Sequence, residues 1–149
     1  MSLALMSSLH IAGDAVADAV NPALTIAMLV VAAQQFRRRA FDGVMCLLAA
    51  AMGLACIYAI GALDHALWQR LGMDYSTHAA YATSLIASML VWRRRWMSVL
   101  IAAGLGYLVL IVVMGYHGVI EVITASLAAV IVTFPWHVLV RRVRARSSS

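Results

Sequence analysis

Residues 92–114 read WRRRWMSVLIAAGLGYLVLIVVM. Three arginines stand between two tryptophans, and a long apolar run follows. A run of ~20 such residues, rising 1.5 Å each as a helix, crosses the ~30 Å hydrocarbon core of a bilayer. The stretch Leu108-Val109-Leu110-Ile111-Val112-Val113-Met114 does not alternate apolar with polar, as a barrel strand would. An arginine triplet flanked by tryptophans marks the cytoplasmic interface of a membrane helix.

The same punctuation occurs twice more. Arg37-Arg38-Arg39 ends one apolar stretch, and Arg141, Arg142, Arg144 and Arg146 follow another. The spacing predicts an all-α polytopic membrane bundle with helices at about 11–36, 41–62, 76–92, 96–116 and 118–140. With five transmembrane spans, all three clusters fall on one face, which places the N-terminus outside and the C-terminus in the cytoplasm. Residues 1–146 form one transmembrane domain, and 147–149 a short disordered tail. Asn21-Pro22 and Pro135 are expected to kink or break their helices.

Composition agrees. The chain has 149 residues, 64% apolar and 11% charged, with a mean hydropathy of +0.93. Soluble domains are about half apolar and a quarter charged, so a soluble enzyme and a disordered chain are excluded. The net charge is +5, all of its basic residues being Arg. Their position at span ends favours anionic lipid over nucleic acid, so the expected partner is the bilayer. Cys46 and Cys56 lie in one apolar stretch and read as small buried hydrophobes.

The remaining polar residues are biased to the opposite, outer face. Asp14, Asp18, Asp64, Asp74 and Glu121 belong there, with only Asp42 inside, and so do His10, His65, His78 and His117. Titratable groups near a membrane core are costly and mark function. His78 follows Asp74-Tyr75-Ser76-Thr77 at the start of a helix, where Ser or Thr caps and free N–H groups attract anions. His117 and Glu121 stand four apart, on one helical face. The carboxylate there can hold one imidazole nitrogen as a donor and leave the other free as a nucleophile. A structural cap and a self-satisfied His–Glu pair are the plain alternatives. The two histidines open two helices that run in the same direction, so one outer pocket can hold both rings. Counted from the inner arginines, however, His117 lies higher than His78, and tilt must absorb the difference.

These residues resemble the type 2 phosphatidic acid phosphatase superfamily, which includes the sphingomyelin-synthase-like phosphotransferases. The family motif P-S-G-H corresponds here to Tyr75-Ser76-Thr77-His78. The end of S-R-x-x-x-x-x-H-x-x-x-D corresponds to His117-Gly118-Val119-Ile120-Glu121. The resemblance covers about half the chain, from Ser76 onwards. The Ser-Arg of the second motif falls at Leu110 and Ile111, and the family's Lys-containing motif has no counterpart because the chain contains no Lys.

The resemblance implies an integral-membrane lipid phosphatase or phosphotransferase acting on lipid phosphates at the outer membrane face through a phosphohistidine. His117 would attack phosphorus, Glu121 would orient it, and His78 would protonate the leaving alcohol. Ser76, Thr77 and Arg70 would hold phosphate oxygens, with Asp74, His65 and His10 as accessory residues. No metal or other cofactor is implied. The expected location is a bacterial inner membrane, with the site facing the periplasm. Two other functions remain open from the residues alone. His78, His117 and Glu121 could be three zinc ligands of a membrane hydrolase. Asp14 and Asp18 could belong to a cation path in a small transporter, or the chain could be a non-catalytic lipid-binding subunit.

Overall fold

A computed structural model describes residues Leu3–Arg146, apart from the side chains of residues 3–12, Asp14, His65 and Arg146. His10 and His65, both named above as accessory residues, therefore lie outside the described residues, as do Asp14 of the suggested cation path and the 147–149 tail.

The described chain is a helical bundle with no strand. Helix α1 spans Leu3–Phe36, α2 Ala40–Ala62, α3 the single turn Asp64–Leu67, α4 Thr77–Trp92, α5 Met97–Val113 and α6 Val119–Arg146. Short 3₁₀ turns at Gln69–Leu71 and Arg94–Trp96 precede α4 and α5. Among the described residues, four segments are long and apolar enough to cross a membrane: Ala15–Phe36, Ala40–Ala62, Arg94–Val113 and Val119–Ala145. The chain is thus a multi-pass membrane protein by the length and composition of its helices.

Of the five long helices expected, α4 is the short one. It has 16 residues, about 24 Å at 1.5 Å per residue, short of the ~30 Å core. Its length and composition differ because it faces protein rather than lipid. Ala79, Ala80, Ala82, Ser84, Leu85, Ile86, Ser88 and Met89 are all buried, and α1, α2, α5 and α6 all pack on it. Small residues let these helices approach closely, and hydroxyls bond between them. Ser84 Oγ pairs with Thr133 Oγ1 at 2.8 Å, Ser88 Oγ with His137 Nε2 at 2.9 Å, and Thr25 Oγ1 with Tyr81 Oη at 2.8 Å. Gly53 completes the crossing of α2, α4 and α6, since a Cβ there would come within 2.9 Å of Thr133.

Short as it is, α4 runs from one end of the bundle to the other. Arg93, at its C-terminus, donates to Gln34 Oε1, Arg141 donates to Val91 O at 3.1 Å, and Arg144 pairs with Asp42 at 2.9 Å. The three arginine clusters therefore gather at one end, as their spacing requires.

Other boundaries also moved. Helix α1 begins before residue 11 and continues through Pro22, and α6 continues through Pro135 to Arg146, so neither proline breaks its helix. Thr25 Oγ1 donates to the Asn21 carbonyl at 2.9 Å beside the first proline. Helix α5 ends at Val113 rather than 116, because Gly115 takes φ +76°. Gly115 N–H then donates to Val112 O and Tyr116 N–H to Ile111 O. This is the glycine-terminated pair of bonds that closes a helix and reverses the chain.

Candidate active site

The reversal at Gly115 sets the site. It carries Tyr116 and His117 back over the bundle end before α6 begins at Val119. The two side chains line a cavity of about 150 Å³ together with Ala17 and Asp18 of α1, His78 of α4, and Tyr107 and Ile111 of α5. His78 and His117, which begin alternate long helices, thus share one cavity.

Glu121 fixes the second imidazole. Its Oε2 accepts the Gly118 N–H at 2.8 Å and stands 3.3 Å from His117 Nδ1. Its Oε1 accepts the Asp74 N–H at 2.8 Å. A Glu at the third helical position that takes the N–H of the residue before the helix is half of a capping box. One side chain therefore caps α6, orients His117, and ties the segment before α4 to the start of α6. The cap was readable in the spacing of Gly118 and Glu121; the bond to Asp74 crosses 47 residues and was not.

The segment between α2 and α4 is held by bonds within itself and to α6. Asp64 accepts the Tyr75 N–H at 3.0 Å and Gln69 Nε2 at 3.2 Å. Trp68 Nε1 donates to Thr124 Oγ1 at 2.9 Å, and the Trp68 ring meets that of Tyr75 edge-on at 4.7 Å. Burial pushes the Tyr75 phenol up to about 12.

The residues expected to hold phosphate lie elsewhere. Ser76 is fully buried, and its Oγ accepts the Ala79 N–H at 3.4 Å, so it is the cap of α4. Arg70 is exposed on its 3₁₀ turn and does not line the cavity; the five residues 71–75 separate it from the α4 cap. Thr77 lines a neighbouring hollow of about 390 Å³ with Asn21, Pro22, Thr25, Tyr58, Tyr81 and, again, His78. Asp74 contributes its backbone N–H rather than its carboxylate. The expected zinc ligands do not converge either: among the described residues no three His, Cys, Asp or Glu side chains group to hold a metal.

The sequence reading missed Tyr107 and Tyr116 as lining residues, and it placed Asp18 near the outer face without joining it to the histidines. A tyrosine inside an otherwise apolar helix was the available signal. Tyr107 Oη, for example, donates to Ala17 O at 3.3 Å and so joins α5 to α1 beside the cavity.

Helices α4 and α6 are bonded along much of their length: Thr83 meets Ser126, Ser84 meets Thr133, Ser88 meets His137, and Arg141 donates to the Val91 carbonyl.

No protein-family model matches the chain, and no curated protein or solved structure does.

Proposed function

We propose that the protein is an integral-membrane phosphatase or phosphotransferase acting on lipid phosphates, with His117 as nucleophile and His78 as general acid. The observation that supports this most is the cavity shared by the two imidazoles, one of them held by a carboxylate. With Nδ1 donating to Glu121, the Nε2 lone pair of His117 is free to attack phosphorus. The bond from phosphorus to the ester oxygen breaks as His78 gives that oxygen its proton. Water, or the hydroxyl of an acceptor, then attacks the phosphohistidine and passes its proton to His78. Water yields a phosphatase and an alcohol yields a transferase. The arginine-rich end faces the cytoplasm by the positive-inside rule, so the site opens on the outer face of what we take to be a bacterial inner membrane.

The test is phosphate release or head-group exchange from a panel of lipid phosphates in detergent. Loss of activity in His117→Ala and in His78→Ala, both folded, supports the mechanism. Activity that survives either change removes it.

One observation favours a second function. Asp18 lines the cavity and, among the described residues, no arginine does, an arrangement that suits a cation better than a phosphate. A small cation transporter would show flux in liposomes that Asp18→Asn abolishes, while phosphate release would be absent throughout.

A further inference from the structure

Three of the described buried donors that lack a partner lie at the other end of the bundle. There a cavity of about 360 Å³ is lined by Gln35, Arg38 and Arg39 at the end of α1, Asp42 of α2, Val91 and Trp92 of α4, and Arg141 and Arg144 of α6. Four guanidinium groups thus face one carboxylate. That carboxylate is already engaged, because Asp42 pairs with Arg144. Arg141 spends one nitrogen on the Val91 carbonyl.

The neutral lining points the same way. Gln35 is 4% exposed, and its Nε2 has no partner. Trp92 Nε1 is also buried without one. Next to them Arg93 is 7% exposed, with Nε unpaired. Burial first, then the charges of Arg38 and Arg95, hold the Arg93 guanidinium below its ordinary pKa. All three orphaned groups are donors. A buried donor left without an acceptor costs roughly 1–3 kcal/mol, so the site is built for a ligand that brings acceptors and negative charge.

We infer that this cavity binds a phosphate group, presented either by an anionic lipid of the arginine-side leaflet or as free phosphate. The position suits a lipid headgroup. Arginine and tryptophan at a span end mark the depth of the headgroups, and a basic pocket between helices on that side is a recognised form of headgroup site. This inference is independent of the histidine cavity, which lies at the opposite end of α4.

The experiment is native mass spectrometry of the purified protein in detergent, titrated with dioleoyl-phosphatidylglycerol, with dioleoyl-phosphatidylcholine and with inorganic phosphate. The phosphatidylglycerol adduct should dominate. The pair Arg38→Ala, Arg39→Ala should weaken it at least about tenfold more than Arg94→Ala, Arg95→Ala does, because hydrogen bonds to an ionised group outweigh diffuse attraction. The second pair removes the same charge from arginines that do not line the cavity. Gln35→Leu should weaken the adduct roughly threefold yet raise the unfolding temperature of the lipid-free protein, since it deletes an orphaned donor. Displacement of lipid by millimolar phosphate would identify the free anion as a sufficient ligand. Retention of lipid would identify the headgroup in its lipid form, and either result supports the site. Equal losses in the two arginine pairs, equal binding of phosphatidylcholine, or no adduct with either anion would overturn it.

Discussion

At the end of the bundle that holds His78 and His117, the Glu121 and Asp64 carboxylates are answered by donors, while Tyr75 Oη is left unpaired; at the arginine end it is buried donors that go unanswered. Glu121 takes two backbone N–H groups and faces an imidazole, and Asp64 takes a backbone N–H and an amide. At the arginine end Gln35, Trp92 and Arg93 each keep a buried donor unpaired. The histidine end has groups able to do chemistry but little positive charge. The arginine end has the charge, but its one histidine, His137, is buried at 2% exposure and bonded to Ser88. The paired histidines and the arginine clusters are therefore separated by the length of α4. For a phosphoryl-transfer enzyme this matters, because charge on the equatorial oxygens must be stabilised where the bond breaks. Under the proposed mechanism that task falls to His78 at the histidine end.

The largest expected effect would break the contrast outright. Under the proposed mechanism His117→Ala should lower phosphate release by about 10³-fold or more, as loss of a nucleophile or general acid does, whereas Arg144→Ala, at the other end, should leave turnover within about twofold. An assay in which the arginine variant loses as much would show that the chemistry does not belong to the histidine end.

Next in size is the loss of Glu121. Glu121→Ala unties two backbone N–H groups and the imidazole together. At about 1 kcal/mol for each bond, it should lower stability by roughly 2–3 kcal/mol, seen as a fall in the unfolding temperature in detergent. Glu121→Gln keeps acceptor oxygen for one backbone N–H and should lose about half as much.

Arg144→Ala should cost less, roughly 1–2 kcal/mol. It strands the buried Asp42 carboxylate, at 4% side-chain exposure, but its own side chain is 45% exposed and the pair is therefore partly screened. If this variant proves more damaging than Glu121→Ala, the arginine end carries the fold and the polar comparison has to be reversed.

The smallest effect is the most sensitive to sign. Tyr75 packs on Trp68, but its Oη is buried without a partner. Tyr75→Phe should therefore change stability by about 0.5 kcal/mol or less near neutral pH, with a gain as the expected direction. The pH dependence sharpens this. The folded phenol titrates near 12, above its ordinary value of 10. The unfolded chain then loses its proton first, and the stability lent by the protonated buried phenol falls as pH rises from about 10 towards 12. Unfolding curves of the two proteins should diverge in that window, with the phenylalanine variant the more stable.

Much of the fold was legible because lipid imposes simple rules. A segment that meets hydrocarbon must be long and apolar, and charge must gather at its ends. Residues 92–114 and the other two arginine clusters satisfy both rules locally, so helix number, order and common end followed from the chain alone. Helix α4, expected at 76–92 and found at Thr77–Trp92, was placed by the same reading, but its protein neighbours were not visible in it. Its serines and alanines carry no lipid signature, and only their burial shows why 16 residues suffice. The bounds of α5 hung on one glycine whose positive φ is visible only in three dimensions.

The site divides along the same line. The four-residue spacing suggested the pairing of His117 with Glu121, but His117 lies in the turn before α6, and it is the capping carboxylate that meets it there. The union of His78 with His117, the addition of Asp18, Tyr107 and Tyr116, and the withdrawal of Ser76 into a cap were decided by the packing of α1, α4 and α5 and by the turn at Gly115. Local spacing is set by covalent geometry and one helix's hydrogen bonds. The meeting of residues from four segments depends on how side chains of different helices interlock, and that information is spread over the whole chain.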